Sequence, residues 1–154
     1  MATGDVTVFN QFVEDVGEEI HNFASDVIKL GIITTGVTPA ATDSAPQWSA
    51  TSGVDYDGNE VSAAGSYTAG GETVGSPTYT ISGATATLDG TDVTLAQNGS
   101  GFTNGAWGIL FNETAISNQA IAFVELDSDG GLSEQSGDIN INWNTDGILT
   151  VART

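Results

Sequence analysis

The chain has 154 residues, a length that suits a single domain, and its 20 acidic and 2 basic residues give a formal net charge of −18. The absence of cysteine excludes disulfides, thiolate catalysis and Cys-based zinc sites, and so strong a negative charge argues against binding to nucleic acid or to anionic membranes. With 39% hydrophobic residues and 20 glycines, the composition predicts one turn-rich β domain over residues 1–154 rather than a disordered chain.

The first predicted element is an amphipathic helix over about residues 6–23. Its apolar positions are Val6, Phe9, Phe12, Val13, Val16, Ile20 and Phe23. These positions form a one-sided helical stripe, and acidic residues occupy much of the other side. Two interpretations are open: the stripe covers the face of a sheet, or Phe9, Phe12 and Val16 dock on a neighbouring subunit. The residues before it lack the basic region and apolar block of a signal peptide, so we expect none.

A buried strand is predicted over residues 26–35 and a long loop over about residues 36–59. The strand segment is rich in β-branched residues and too short for a second long helix. The loop carries Pro39, Pro46 and clustered small polar residues, and compact domains rarely tolerate a loop of this length without a purpose. Trp48 lies inside the loop, where it either anchors the loop to the core or contacts a partner at an interface.

From residue 60 onward, short alternating runs are separated by glycine-containing turns. The predicted strands cover residues 60–63, 66–68, 78–82, 84–88, 92–95, 106–111, 120–125, 138–143 and 147–151. Asp-Gly and Asn-Gly pairs between strand-like runs are typical of β-hairpins, and closely spaced turns of this kind are typical of sandwiches and barrels. The predicted fold class is therefore mainly β, an antiparallel β-sandwich or barrel-like domain with one N-terminal amphipathic helix.

Few side chains in this sequence suit catalysis. His21 is the only histidine, and we expect it to be a partly buried or surface residue of the predicted helix. Without cysteine or a second histidine a catalytic triad is hard to build, and the glycine-rich segments lack the helix that follows a phosphate-binding loop. A glycosidase would need two carboxylates converging in a cleft. We therefore expect no enzymatic activity, no catalytic residue and no bound cofactor.

The shortage of basic residues limits how the acidic charge can be balanced. Lys29 and Arg153 are the only two, so few internal ion pairs can form. The self-repulsion of the chain must then be screened by salt or divalent cations, or offset by a basic partner surface.

Two segments place acidic residues two positions apart in a glycine turn, a spacing that can surround a hard cation. They contain Asp55 with Asp57 and Asp127 with Asp129. Neither segment has the glycine position of an EF-hand loop, so solvated Asx-type turns are the favoured interpretation. We expect no defined metal site.

The order of short motifs along almost the whole chain carries a family resemblance. The segments that carry it are Val27–Thr34, Thr38-Pro39, Glu60-Val61, Gly65–Gly71, Asp89–Thr94, Gly105–Phe111, Ile121–Asp129, Gly137–Asn144 and Gly147–Thr150. The most specific part is the C-terminal region, where an apolar strand ends in Asp-Ser-Asp and where Gly-Asp precedes a strand that contains Trp-Asn. In this order the chain resembles a family of small structural proteins encoded in the virion gene clusters of tailed phages.

That resemblance implies a virion component without enzymatic activity. A small acidic β domain with one amphipathic helix suits an outward surface, so we expect a capsid decoration or cement protein that binds the outside of the major capsid shell and stabilises it. The expected partners are the major capsid protein and copies of the chain itself, as a trimer or other symmetric oligomer. The expected location is the capsid exterior of the virion, after assembly in the host cytoplasm.

The alternative function is that of a tail, neck, baseplate or fibre component that binds host surface glycans. Exposed aromatic side chains along a groove would indicate this alternative. The candidates for such a groove are Tyr56, Tyr67, Trp107 and Trp143.

Overall fold

The computed structural model describes residues 4–50 and 52–153, which form antiparallel sheets and one short helix near the N-terminus. Strands, with isolated β-bridges, make up 34% of the described residues and helix 7%, so the mainly β fold class is confirmed. The elements are β1 (Val6–Val8), α1 (Asn10–Gly17), β2 (Ile28–Ile33), a 3-10 turn (Asp57–Asn59), β3 (Glu72–Thr73), β4 (Thr78–Ser82), β5 (Thr85–Asp89), β6 (Val93–Leu95), β7 (Trp107–Asn112), β8 (Ala120–Glu125), β9 (Ile139–Ile141) and β10 (Leu149–Ala152). No helix among these residues has the length and apolar character needed to cross a bilayer.

Five strands form the main sheet in the order β1-β8-β7-β2-β3, with antiparallel pairing throughout. The central strands β8, β7 and β2 are nearly continuous apolar runs because both faces of the sheet are covered. Alternate residues point to opposite faces, so Leu30 and Leu110 enter one hydrophobic core. Ile33 and Ile109 enter a second core on the other side. The main sheet therefore separates two cores.

The second core lies between the main sheet and the irregular segment that follows β2. Phe9, Trp48 and Tyr56 are buried in it together with Phe111 of β7. The backbone N–H of Trp48 also donates to the carbonyl of Asn118 at 2.9 Å, which ties the irregular segment to the loop before β8. This segment thus forms a layer of the fold.

The helix is shorter than the predicted range of residues 6–23. The first part of that range pairs with β8 as the edge strand β1, so its backbone groups are satisfied by the sheet. Beyond α1, Glu19 has a φ of 59°, and the N–H of Ile20 donates to the carbonyl of Asp15 at 3.0 Å. This is the Schellman arrangement that ends helices, and it stops α1 several residues before the apolar stripe runs out.

Two of the Asp-Gly pairs that lie between predicted strands, a pattern typical of hairpins, join strands of different sheets. Asp89-Gly90 lies between β5 and β6, yet β5 pairs with β4 and β10, and β6 pairs with β9. Asp146-Gly147 similarly connects β9 to β10, which belong to separate sheets. The hairpin prediction was wrong at both turns, because turn residues determine where the chain reverses but not which strand it then pairs with.

Candidate interaction surface

Three of the four side chains predicted to contact a partner lie in the core of this chain. Phe9 and Phe12 are 0% and 1% exposed and Trp48 is 4% exposed, whereas Val16 is 38% exposed. The prediction of a partner contact through Phe9, Phe12 and Trp48 is therefore corrected. Their apolar area is already removed from water by the sheet beneath them, so the helix covers the sheet and Trp48 anchors its loop.

The aromatic side chains considered for a glycan-binding groove do not share a surface. Tyr56 and Tyr67 are buried, and Trp107 packs against the second core. Trp143 lines an open groove between β1 and the segment before β10, and its indole N–H donates to the carbonyl of Thr91 at 3.0 Å.

The strands β10, β5 and β4 form a separate three-stranded sheet, the outer sheet. One face of this sheet is apolar and continues beyond the part that is buried in the core. The register defines two neighbouring rows on that face, Tyr79–Leu88–Leu149 and Ile81–Ala86–Val151. Leu88 and Leu149 of the first row are buried in the first core. In the second row Ile81 is 76% exposed and Val151 is 42% exposed. An apolar sheet face that continues beyond the core is typical of a surface that another molecule covers.

Val16, the one predicted contact residue that reaches the surface, borders this face. Val16 and Tyr79 line the same open groove between the end of α1 and β4. Tyr79 packs on Phe23 with ring centroids 5.2 Å apart, which attaches β4 to the segment after α1. A groove of mixed character, lined also by Glu19 and Asn22, therefore connects the outer sheet to the end of the helix.

The apolar face of the outer sheet is also poor in charge for so acidic a protein: Asp89 at the end of β5 is the one acidic residue of the three strands, and its register with Thr78 places it on the opposite face from Ile81. Residues 73–88 contain no charged side chain, although the whole chain carries a net charge of −18. Arg153, one of the two basic residues, follows β10, and its backbone N–H donates to the carbonyl of Ala84 at 3.0 Å. An acidic molecule that approaches the outer sheet therefore meets less repulsion than it would at a surface rich in carboxylates.

Sequence reasoning missed this surface, although a signal for it was present. The uncharged run of residues 73–88 stands out in a chain with 20 acidic residues. The alternation within it predicts a strand, and β4 forms there. What the alternation does not predict is that every residue of β4 stays exposed.

The two acidic segments differ in structure. The carboxylate of Asp127 accepts the backbone N–H groups of Asp129 and Gly131 at 2.9 and 3.0 Å, which forms the predicted Asx-type turn. Donation from Gly131 and Asp129 lowers the pKa of Asp127. Burial raises the pKa of Asp57, and the neighbouring Asp55 acts in the same direction. Within residues 4–50 and 52–153, no three His, Cys, Asp or Glu side chains are arranged to hold a metal ion.

His21 lies in a cluster of aromatic and polar side chains beyond the end of α1, and not on the helix itself. The imidazole contacts the rings of Phe12 and Phe23, with ring centroids 5.4 and 5.6 Å away. Its Nε2 atom is 3.7 Å from the carboxylate of Asp15, and its Nδ1 atom is 3.1 Å from Nδ2 of Asn112. These contacts enclose the ring on several sides, so we assign His21 a structural role.

The protein is expected to lose stability as the pH falls from about 7 to about 5, and the His21→Gln variant is expected to lose less. Burial lowers the pKa of His21, and attraction to Asp15 and Asp26 offsets only part of that effect. As the pH falls below the unfolded value of about 6.5, the unfolded chain therefore takes up a proton before the folded protein does. The folded state of the unsubstituted protein loses stability over this range.

The free energy of unfolding in urea at both pH values measures this effect. The difference between the original protein and His21→Gln isolates the imidazole, because the carboxylates titrate in both proteins. A larger loss in the variant would mean that His21 and Asp15 form a charged ion pair, which contradicts the prediction.

Comparison with known proteins identifies no relative of this chain: no family model, no curated protein and no solved structure matches it.

Proposed function

We propose that this chain is a tailed-phage virion structural protein, a decoration or cement protein that binds the outer surface of the major capsid shell. The observation that carries the proposal is the outer sheet, an uncharged apolar face that projects from a strongly acidic domain. The order of motifs along the chain supports the virion setting. Together these features favour a role in adhesion within a particle.

The physical basis of shell stabilisation is preferential binding to the assembled state. Contact through Tyr79, Ile81 and Val151 removes apolar area from water, which contributes about 25 cal/mol per Å² buried. A protein that binds the assembled shell and not the free capsid subunits shifts the equilibrium toward the shell. The acidic remainder of the domain faces solvent in this arrangement and keeps decorated particles apart by charge repulsion.

No chemical step is part of this proposal. His21 is enclosed by Phe12, Phe23 and Asp15. Asp127 is engaged with backbone N–H groups of its own turn. We therefore propose a protein that acts by binding alone, without catalysis or a cofactor.

Particles of the phage that encodes this chain test the proposal. Quantitative mass spectrometry is expected to find it in many copies, in proportion to the major capsid protein, and electron microscopy is expected to locate it on the head exterior. Val151→Asp places a charge on the apolar face and is expected to lower occupancy severalfold. Ile116→Asp, made at a fully exposed isoleucine outside the outer sheet, is the matched control and is expected to leave occupancy unchanged. Absence of the chain from purified particles would overturn the proposal.

The second candidate is a tail, neck, baseplate or fibre component that binds glycans, and the groove beside Trp143 favours it. Asn142 and Asp146 line this groove with Trp143, and an aromatic face next to amide and carboxylate groups can bind the hydroxyls of a sugar. A low copy number that matches the rotational symmetry of the tail, together with glycan binding that Trp143→Ala abolishes, would support this candidate over decoration.

A further inference from the structure

We infer that two copies of this chain pair through the edge of β4, antiparallel and across a two-fold axis, so that their outer sheets join into one. The inference rests on the proposed adhesive function of the outer sheet. It adds that the molecule that pairs with the edge of this sheet is a second copy of the chain. The joined apolar faces then form one continuous surface for the shell.

The first observation concerns the free edge of β4. This strand lies at the edge of the outer sheet, and all of its residues are exposed. Gly83, with a φ of 64°, begins the two-residue turn to β5, so Ser82 and Thr85 form the closing, hydrogen-bonded pair. Because hydrogen bonding alternates along an antiparallel strand, the backbone N–H and C=O groups of Tyr79 and Ile81 point away from β5. These groups are a template for another strand.

The second observation is that the sequence of β4 is complementary to itself. Antiparallel pairing centred on Thr80 sets Tyr79 opposite Ile81 of the second copy, and Thr78 opposite Ser82 of the second copy. Aromatic side chains opposite β-branched ones, and hydroxyls opposite hydroxyls, are favourable cross-strand pairs. Tyr79 and Ile81 are also the residues whose backbone groups point outward, so the same register lets each Tyr79–Ile81 pair exchange both of its hydrogen bonds.

The third observation is electrostatic, and it selects a second copy as the occupant of the edge. Two copies bring a net charge of −18 each, so a contact that places carboxylates together is repulsive. The run of residues 73–88 has no charged side chain, and it includes all of β4. Edge strands that avoid pairing usually carry a lysine, a proline or a bulge, and the sequence Thr-Tyr-Thr-Ile-Ser of β4 contains neither lysine nor proline.

Sedimentation of the purified full-length chain over a range of concentrations tests the pairing. The unsubstituted chain is expected to sediment as a dimer at high concentration, and Ile81→Asp as a monomer because it places two carboxylates at the two-fold contact. Val151→Asp, on the same face but on the far strand of the outer sheet, is the matched control and is expected to remain dimeric. A chain that stays monomeric at every concentration would overturn the inference.

A single introduced cysteine tests the register. Thr80→Cys sets two sulfurs opposite each other at a non-hydrogen-bonded pair, where the Cα atoms are about 4.5 Å apart and a disulfide can form. The chain has no other cysteine, so any cross-link is unambiguous. Mild oxidation is expected to link Thr80→Cys on the order of a hundredfold faster than Thr150→Cys, an exposed position on β10, because pairing raises the effective concentration of the thiols. Faster linking of Thr150→Cys would place the contact on β10 and contradict the inference.

These results separate the two proposals. A monomeric chain that is nevertheless abundant on particles would overturn β4 pairing and leave the decoration function standing. A chain that dimerises as described but is absent from particles would retain the pairing and remove the decoration function.

Discussion

Replacing Trp48 with alanine is expected to lower the free energy of unfolding by about 3–5 kcal/mol, the usual range for removing a large aromatic side chain from a core. Trp48 is 4% exposed, and its ring stacks on that of Phe111 with centroids 4.8 Å apart and planes 3° apart. The ring also lies against Gly31 of β2, where a Cβ atom would be 2.1 Å from it. Alanine would therefore leave a cavity between the irregular segment and the main sheet.

Urea unfolding at one fixed protein concentration, followed by far-UV circular dichroism, measures this loss. Ile116→Ala removes a side chain that is fully exposed and is expected to change the free energy of unfolding by less than about 0.5 kcal/mol. Gly31→Ala is expected to destabilise the protein as well, because its methyl group and the Trp48 ring need the same space. A loss below about 1 kcal/mol for Trp48→Ala would contradict the core role of this residue.

The second large effect is expected from Tyr67→Phe, which should cost about 1–3 kcal/mol although it removes a single oxygen atom. The Tyr67 hydroxyl accepts the backbone N–H of Ile32 at 3.0 Å and donates to Oε1 of Glu60 at 2.8 Å. Phenylalanine would leave the N–H of Ile32 without this partner in a buried strand, where water does not replace it. Burial, reinforced by Glu60, raises the pKa of Tyr67, so the hydroxyl stays protonated and remains a donor.

Tyr79→Phe is the matched control for this prediction. This substitution removes the same oxygen atom from a tyrosine that is 38% exposed. The free energy of unfolding of the protein is therefore expected to change by less than about 0.5 kcal/mol. Both variants are compared with the original protein in urea at the same protein concentration. Equal effects at the two tyrosines would show that the buried hydrogen bonds of Tyr67 contribute no net stability.

Strand positions could be predicted from the sequence because their signal is local. The predicted strands at residues 78–82 and 120–125 have the bounds of β4 and β8, and β2 lies within the predicted range 26–35. β-branched and aromatic residues that alternate or run continuously over a few positions favour extended backbone by themselves. The predicted strand at residues 66–68 does not form, and Tyr67 instead fills the core beside Phe102.

The candidate surface was much less predictable. The stripe of apolar residues before and within α1 suggested an interface, yet of Phe9, Phe12 and Val16 only Val16 reaches the surface. The apolar side chains proposed here for an interface are instead Ile81 and Val151 of the outer sheet, which sequence reasoning assigned only to ordinary strands. The sequence pattern around an aromatic or aliphatic residue is the same whether another segment of the chain covers its side chain or leaves it exposed.

By itself, the sequence determined the fold class, the positions of most strands, the strong negative charge and the scarcity of groups suited to catalysis. These properties depend on composition and on periodicity over a few residues. Only the tertiary structure decided that β1 pairs with β8, that β5 pairs with β10, and that the apolar face of the outer sheet extends past the core. Those outcomes depend on which distant segments come into contact. Strand pairing and burial arise between residues that are far apart in the sequence, and a pattern over a few neighbouring residues does not specify them.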